Sequence, residues 1–363
     1  MRVIDVPGAK PVTGARGGGP AVTFRFPDPW HQLAGVRLGQ DVRIPGDRLD
    51  FHRAGADWEL IIDRPPVWRM EYLLELRYPD GGGQTVPDPG NPRQAAGAFG
   101  PRSVLEFPSY VAPGWLTAPA APGRGAAFEL PGGSLDEPVP VRTWAPADAP
   151  DDEVLPLLVA HDGPEYDTLA SLTGYLAAGV AGGWLPRLRA ALLGPGPRDR
   201  WYSANARYAR VLARAVIPAL AGRLATSVRI GMGTSLGALA MLHAQCRYPD
   251  AFDGLFLQSG SFFCPRFDDQ ERWFRYYPRV VRFVASVLDT GVNPLGLPDR
   301  RVPVVLTCGA IEENLSNNRL VRQALRARGY QAALHEVPDM HNYTAWRDAF
   351  DPHLTRLLRQ VCG

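Results

Sequence analysis

The sequence predicts a two-part chain, a small all-β domain followed by a doubly wound α/β domain with a mostly parallel sheet. Three observations lead there. From Ala21 to Tyr78, short runs alternate apolar and polar residues, with turn-forming Pro, Gly and Asp between them. From Ala126 onward, apolar strand-like runs alternate with helix-like segments. Within that second part, Val228 to His243 reads as a strand, a sharp turn Gly233-Thr234-Ser235-Leu236-Gly237, and an Ala/Leu-rich helix.

Residues 1–20, with Gly17-Gly18-Gly19, are too glycine-rich to carry a core and are expected to form a flexible terminus. Residues 21–125 form the first domain with its Pro/Gly-rich linker. Its strands are expected at Val22 to Phe26, Val36 to Leu38, Asp41 to Ile44, Trp58 to Ile62 and Met70 to Tyr78. The last places Met70, Tyr72, Leu74, Leu76 and Tyr78 on one face. No helical periodicity competes, so an immunoglobulin-like sandwich is the reading.

Residues 126–363 form the second domain. Val154 to Ala160 is a nearly continuous apolar run, as a strand covered on both faces requires. Further strands are expected at Leu188 to Leu193, from Val228, at Gly254 to Gln258, at Val302 to Thr307 and at Ala332 to Val337. Helices are expected at Leu169 to Ala181, Tyr208 to Leu224, after the Gly233–Gly237 turn, within Phe274 to Thr290, and at Asn317 to Arg328.

Composition narrows the function classes. The 363 residues are 45% hydrophobic and 21% charged, an ordinary globular balance. A net charge of +2 gives no reason to expect a nucleic-acid partner, although it leaves room for a local basic patch. Lys10 is the single lysine, so nearly all positive charge is arginine. Cys246, Cys264, Cys308 and Cys362 have neither metal-site nor disulfide-framework spacing, and no metal or cofactor is expected. Met1 to Pro20 has no apolar core of a signal peptide and no run approaches membrane-spanning length. A cytoplasmic protein without membrane contact is the expectation; a homodimer is compatible with the sequence.

The chemistry is expected at Ser235. A serine on a strand-to-helix turn exposes its Oγ beside a helix N-terminus, where unpaired N–H groups favour negative charge. Glycine is needed at 233 and 237 because a Cβ there would crowd strand or helix. Polar residues at other strand ends supply the partners. After Thr307 come Glu312 and Glu313; after the last strand comes His341. The order serine, acid, histidine is that of the α/β-hydrolase fold. His341 would take the Ser235 proton while a carboxylate holds its other nitrogen. His161 is the rival base, placed near the oxyanion region. The remaining histidines, His31, His52, His243, His335 and His353, read as surface or packing residues. Glu312 is preferred to Glu313 as the acid, with Asp339 a third candidate.

These residues resemble an esterase family that includes the enterochelin esterases. The resemblance rests on Gly233 to Gly237, Tyr248 to Phe252, Gln258 to Phe263, Asp339 to Arg347 and Val159 to Gly163. In the first half it rests on Trp58, Arg69 to Leu76 and Asp88 to Pro92. It implies acyl-ester chemistry, an acid shortly after a strand-end glycine (Gly309, hence Glu312), and no cofactor. It also implies an oxyanion hole from the backbone of Leu236 and of the residue after Asp162-Gly163. That residue is Pro164, which has no N–H, so the second donor must come from Gly163, Glu165 or Tyr166. Relatives of this fold include feruloyl and acetyl-xylan esterases and mycolyltransferases.

The substrate is expected to be a small-molecule ester, such as a siderophore-type lactone or a secondary-metabolite ester. Phe262, Phe263, Arg200 and Trp346 are the candidate substrate-binding residues, with Arg198, Arg266, Arg272 and Arg275 as further cations near the expected mouth. Glu165 reads either as a solvated or Arg-paired group or as a substrate-facing one. An acyltransferase using the same acyl-enzyme, or a binding protein on a hydrolase scaffold, are the alternatives.

Overall fold

The structure, a computed structural model, describes residues 2–3, 21–42, 44, 46–289 and 300–363. The expected flexible terminus 1–20 lies, apart from Arg2 and Val3, outside the described residues. The chain has a mixed α/β fold with several multi-stranded sheets. It divides into two compact units, Met1–Val111 with Pro338–Thr344, and Ala112–Val337 with Ala345–Gly363.

The smaller unit holds β1 (Arg2–Val3), β2 (Ala21–Pro27), β3 (Gly35–Gln40), β4 (His52–Ala54), β5 (Asp57–Asp63), β6 (Arg69–Arg77), β7 (Gly83–Val86), β8 (Gln94–Ala95) and β9 (Arg102–Glu106). They form two antiparallel sheets, β1-β2-β5-β4 and β3-β6-β9-β8 with β7 beside β6. Asp41 and Val42, expected to begin a strand, form a bend instead. Period-two alternation decides what each strand buries: Phe24 from one sheet meets Tyr72 from the other edge to face, 5.3 Å between ring centroids. The Tyr72 hydroxyl donates to Asp88 Oδ2 (2.6 Å) and accepts from Asn91 Nδ2 (3.1 Å). The Asp88–Pro92 turn is therefore the polar cap that lets a tyrosine lie in the core.

Arg69 and Glu71, one residue either side of Met70, are also buried. They pair with each other at 3.1 Å, and Arg69 reaches Asp339 Oδ2 at 3.5 Å. The Trp68 N–H donates to the Pro338 carbonyl (2.6 Å), so Trp68 and Arg69, at the entry to β6, together tether the Pro338–Thr344 segment.

In the larger unit come β10 (Gly123–Arg124), β11 (Ala127–Leu130), β12 (Val139–Pro146), β13 (Leu155–Ala160), β14 (Arg189–Leu193), β15 (Thr226–Thr234), β16 (Gly254–Gln258), β17 (Val304–Gly309) and β18 (Ala332–Val337). Among the described residues they make one sheet, β10-β12-β14-β13-β15-β16-β17-β18, with β11 on β12. β14, β13, β15, β16, β17 and β18 are parallel, and β12 runs antiparallel to β14. β13 is buried at every position, as its unbroken apolar run requires.

The helices are α1 (Gly163–Ala170), α2 (Leu172–Ala181), α3 (Arg198–Tyr202), α4 (Ala206–Val211), α5 (Ile217–Arg223), α6 (Leu236–Arg247), α7 (Tyr277–Leu288), α8 (Leu315–Ala327), α9 (Tyr343–Asp348) and α10 (Thr355–Cys362). The helix expected over Leu169 to Ala181 is two, broken where Ser171 takes a left-handed conformation, φ 52°. Tyr208 to Leu224 is likewise interrupted, by a wide turn at Leu212–Val216 ahead of Pro218. No helix among the described residues is long and apolar enough to cross a membrane. Arg189, 1% exposed, starts β14 and donates to the carbonyls of Glu153, Ala225, Pro150 and Asp151. It satisfies carbonyls from two loops at the edge of the sheet.

Burial raises the Asp339 carboxyl to about 6, with Arg69 opposing that rise and Glu71 adding to it. Its folded pKa lies above the ordinary 3.8, so the stability it contributes is full below about pH 3.8 and lost as pH rises through about 6. Asp339→Asn, neutral throughout, should flatten that part of the profile. Urea midpoints at pH 4.5 and 7.5 should differ less in the variant than in the parent; parallel profiles would refute the linkage.

Candidate active site

β15 delivers Ser235 and α6 leaves from it. The serine sits at φ 53°, ψ −122°, a backbone conformation that costs about 1–3 kcal/mol and persists only when its surroundings enforce it. They do. The Ser235 N–H donates to the Gln258 carbonyl (2.9 Å), and the Ser235 carbonyl accepts from Leu239 N (3.2 Å) and Ser261 N (3.1 Å). A Cβ on Gly233 would lie 2.5 Å from the Gly237 carbonyl, and one on Gly237 would lie 3.2 Å from both His161 Cβ and Asp162 Oδ2. Ser235 Oγ is partly exposed and lies 3.0 Å from Ser261 Oγ.

His161 belongs to this scaffold rather than to proton transfer. It is fully buried; its Nδ1 faces the Gly237 carbonyl at 3.0 Å and its Nε2 the Tyr208 hydroxyl at 2.9 Å. A carbonyl only accepts, so Nδ1 carries the proton and Nε2 accepts from the tyrosine. Burial pushes its pKa down to about 4, keeping the ring neutral as it stacks on Tyr202 at 4.4 Å. Asp162 follows at φ 49°, and Arg198 grips it with two hydrogen bonds of 2.9 Å.

At α1 the first helical bond runs from Tyr166 N to the Asp162 carbonyl (2.9 Å). The N–H groups of Gly163 and Glu165 precede any intrahelical acceptor, and Pro164 has none to offer. Gly163 is fixed by packing: a Cβ would lie 2.3 Å from Leu192 Cα. Leu236, first residue of α6, has its N–H in the same position. The Glu165 side chain is half-buried, and its Oε2 is buried without a hydrogen-bond partner among the described residues.

The two adjacent glutamates diverge. Glu312 Oε1 accepts from Ser259 Oγ and from Gly309 N, both at 2.7 Å. Glu313 turns outward and accepts from Gln270 Nε2 at 3.0 Å. Ser259, at φ 47°, takes a hydrogen bond from Trp346 Nε1 (2.9 Å) while giving its own to Glu312. Gln258 fastens the same tryptophan by its carbonyl (3.0 Å) and accepts from the Tyr166 hydroxyl (2.8 Å). Asn318 brackets Gly260 through both its N–H and its carbonyl.

His341 is exposed, on the Pro338–Thr344 segment that packs with the smaller unit. Asp339, the third candidate acid, is 1% exposed and engaged with Arg69, Met340 N and Asn342 Nδ2. It is occupied in holding its own loop.

Three of the four expected substrate-binding side chains are spent on structure. Phe262 is fully buried; Phe263 is 7% exposed and packs on Tyr277 and Phe274; Trp346 is buried against Ser259. Arg200 pairs with Asp136 (2.9 Å) and Glu137 (3.5 Å). Sequence reasoning missed Ser259, whose adjacency to Gln258 at a strand end was the available signal. Among the described residues, no group of three or more His, Cys, Asp or Glu could hold a metal ion.

The sequence profile of the family described as "Putative esterase" matches residues 132–357. No curated protein sequence matches the chain. Among solved structures, the enterochelin esterase of Shigella flexneri superimposes with a TM-score of 0.74 at 20% identity, covering 94% of this chain and 93% of that one. The ferric enterobactin esterase of Salmonella typhimurium gives 0.70 at 21%, with the same coverage. A ferulic acid esterase gives 0.53 at 15%, over 66% of this chain and 99% of its own. These likenesses show a shared fold; the profile match shows kinship. The chain belongs to the Esterase family and is a carboxylic ester hydrolase.

Proposed function

We infer that the protein hydrolyses a small-molecule carboxylic ester through an acyl-enzyme on Ser235, with His341 as general base and Glu312 as the orienting acid. The observation that carries this reading is the pairing of a strained serine elbow with a carboxylate pinned at one oxygen by Ser259 and Gly309. Oε1 is held from inside the fold, and Oε2 is the oxygen we assign to the imidazole. We take the smaller unit as an immunoglobulin-like sandwich and the larger as a doubly wound sheet of the α/β-hydrolase type.

In this mechanism Ser235 Oγ attacks the ester carbonyl as His341 takes its proton. The oxyanion is received by the N–H of Leu236 and by that of Gly163 or Glu165. Collapse expels the alcohol, which takes the proton back from His341; water then repeats the sequence to release the acid. Pro164 removes one customary donor, which shifts the second contact to its neighbours. The substrate is a siderophore-type lactone or another small-molecule ester, in keeping with the enterobactin esterases that share the fold.

A fluorophosphonate probe should label Ser235, and Ser235→Ala should abolish both labelling and ester hydrolysis with an unchanged melting profile. Hydrolysis retained in the alanine variant would reject the assignment.

The carboxylate assignment has its own test. Glu312→Gln should lower kcat by up to about 10⁴-fold, since the acid fixes the imidazole tautomer. Glu313→Gln should leave turnover near the parent value, and the reverse pattern would identify Glu313 as the acid. Ser259→Ala deletes one bond to a charged group and should lower kcat about tenfold to a hundredfold with little change in KM. An unchanged kcat would mean that Gly309 suffices to hold Glu312.

A further inference from the structure

The larger unit contains a cavity of about 390 Å³ lined by four arginines, Arg200, Arg207, Arg275 and Arg279, against a single lining carboxylate, Asp136. Ser235, His341, Glu312 and the proposed oxyanion donors do not line it, although Arg200 and Arg275, expected from the sequence near the substrate, do. α3 lies between the two places. Arg198 and Tyr202, four apart and so on one face, turn toward Asp162 and His161. Arg200 and Trp201, between them in sequence, line the cavity.

The charges here are unbalanced and partly immobilised. Arg200 is held by Asp136 and Glu137. Arg279 donates to the carbonyls of Ser203 and Arg200 and lies 4.5 Å over the Tyr276 ring. Arg275 approaches the same ring at 5.5 Å. Neither Arg207 nor Arg275 has a carboxylate partner among the described residues. Guanidiniums gathered in this way repel one another unless an anion lies between them. Trp201, 1% exposed, adds a second observation: its Nε1 is buried without a hydrogen-bond partner. A buried N–H left unpaired is a donor waiting for an acceptor.

We propose that this cavity is an accessory anion site, separate from the Ser235 cleft, for a polyvalent oxyanion bearing carboxylate or phosphate groups. Arginine suits both head groups because its planar fork matches their paired oxygens. The volume exceeds that of a simple ion and fits a compact organic anion. Occupancy cross-links α3 to the start of α7, which Arg279 already joins, and so stabilises the folded protein.

Calorimetric titration of the full chain with citrate and with inorganic phosphate, in phosphate-free low-salt buffer, tests the site. One-to-one binding of at least one anion is expected, weakening as sodium chloride is added. Citrate binding alone would mark carboxylate recognition; phosphate binding alone would mark phosphate recognition. Arg207→Gln/Arg275→Gln should weaken it by about tenfold or more while melting like the parent in the absence of anion. Ser235→Ala should bind as the parent does, so the outcome does not depend on the ester chemistry. No binding of either anion, equal binding by the double arginine variant, or lost binding in Ser235→Ala would overturn the proposal.

Discussion

A single strained residue sets the terms for the candidate site. Ser235 occupies φ 53°, ψ −122°, where a side-chain-bearing residue is seldom found, and the surrounding chain is arranged to keep it there. Gly233 and Gly237 leave room for the backbone to pass itself, β16 supplies the Gln258 carbonyl, and His161 props Gly237 from below. The histidine is neutral, buried and bonded at both nitrogens, so it acts as a rigid strut. Much of the polar interior near the elbow is thus committed to backbone geometry.

The same economy governs the strand ends beside the elbow. Gln258, Ser259 and Gly260 follow one another out of β16 and each is tied to a different neighbour, Trp346, Glu312 and Asn318. Polar side chains this deeply buried are costly unless every bond is made, and here the bonds interlock. A carboxylate held by two internal donors at one oxygen has little freedom to wander, which is what an orienting group requires.

Parts of this were legible in the sequence for physical reasons. Strand positions in β13 and β16 follow from apolar run length, because a strand covered on both faces tolerates little else. The Gly-x-Ser-x-Gly turn was legible because its conformation leaves no room for a Cβ at 233 and little at 237. The preference for Glu312 over Glu313 came from the family resemblance, which implies an acid shortly after Gly309, and not from the residues alone; the Gly309 N–H bonds to Glu312 Oε1. The aromatic residues were not legible in role. Phe262 and Phe263 follow β16 and Trp346 lies in α9, places where a pocket wall and a core wedge have the same composition, and only tertiary neighbours decide between them. The interruptions at Ser171 and Leu212–Val216 were hidden as well, since both segments keep an apolar face across the break.

The Pro338–Thr344 segment has a consequence for how such a protein can be rearranged. It is encoded after β18 of the larger unit yet packs with the smaller one, through Arg69 to Asp339 and Trp68 to Pro338. No single cut in the backbone therefore separates the two units into contiguous cassettes. A shuffling event that replaced the first 111 residues alone would leave Asp339 buried-in-waiting without its arginine, and a histidine-bearing loop without its anchor. A replacement of the amino-terminal unit that is to keep these contacts must therefore carry the short carboxyl-side loop with it.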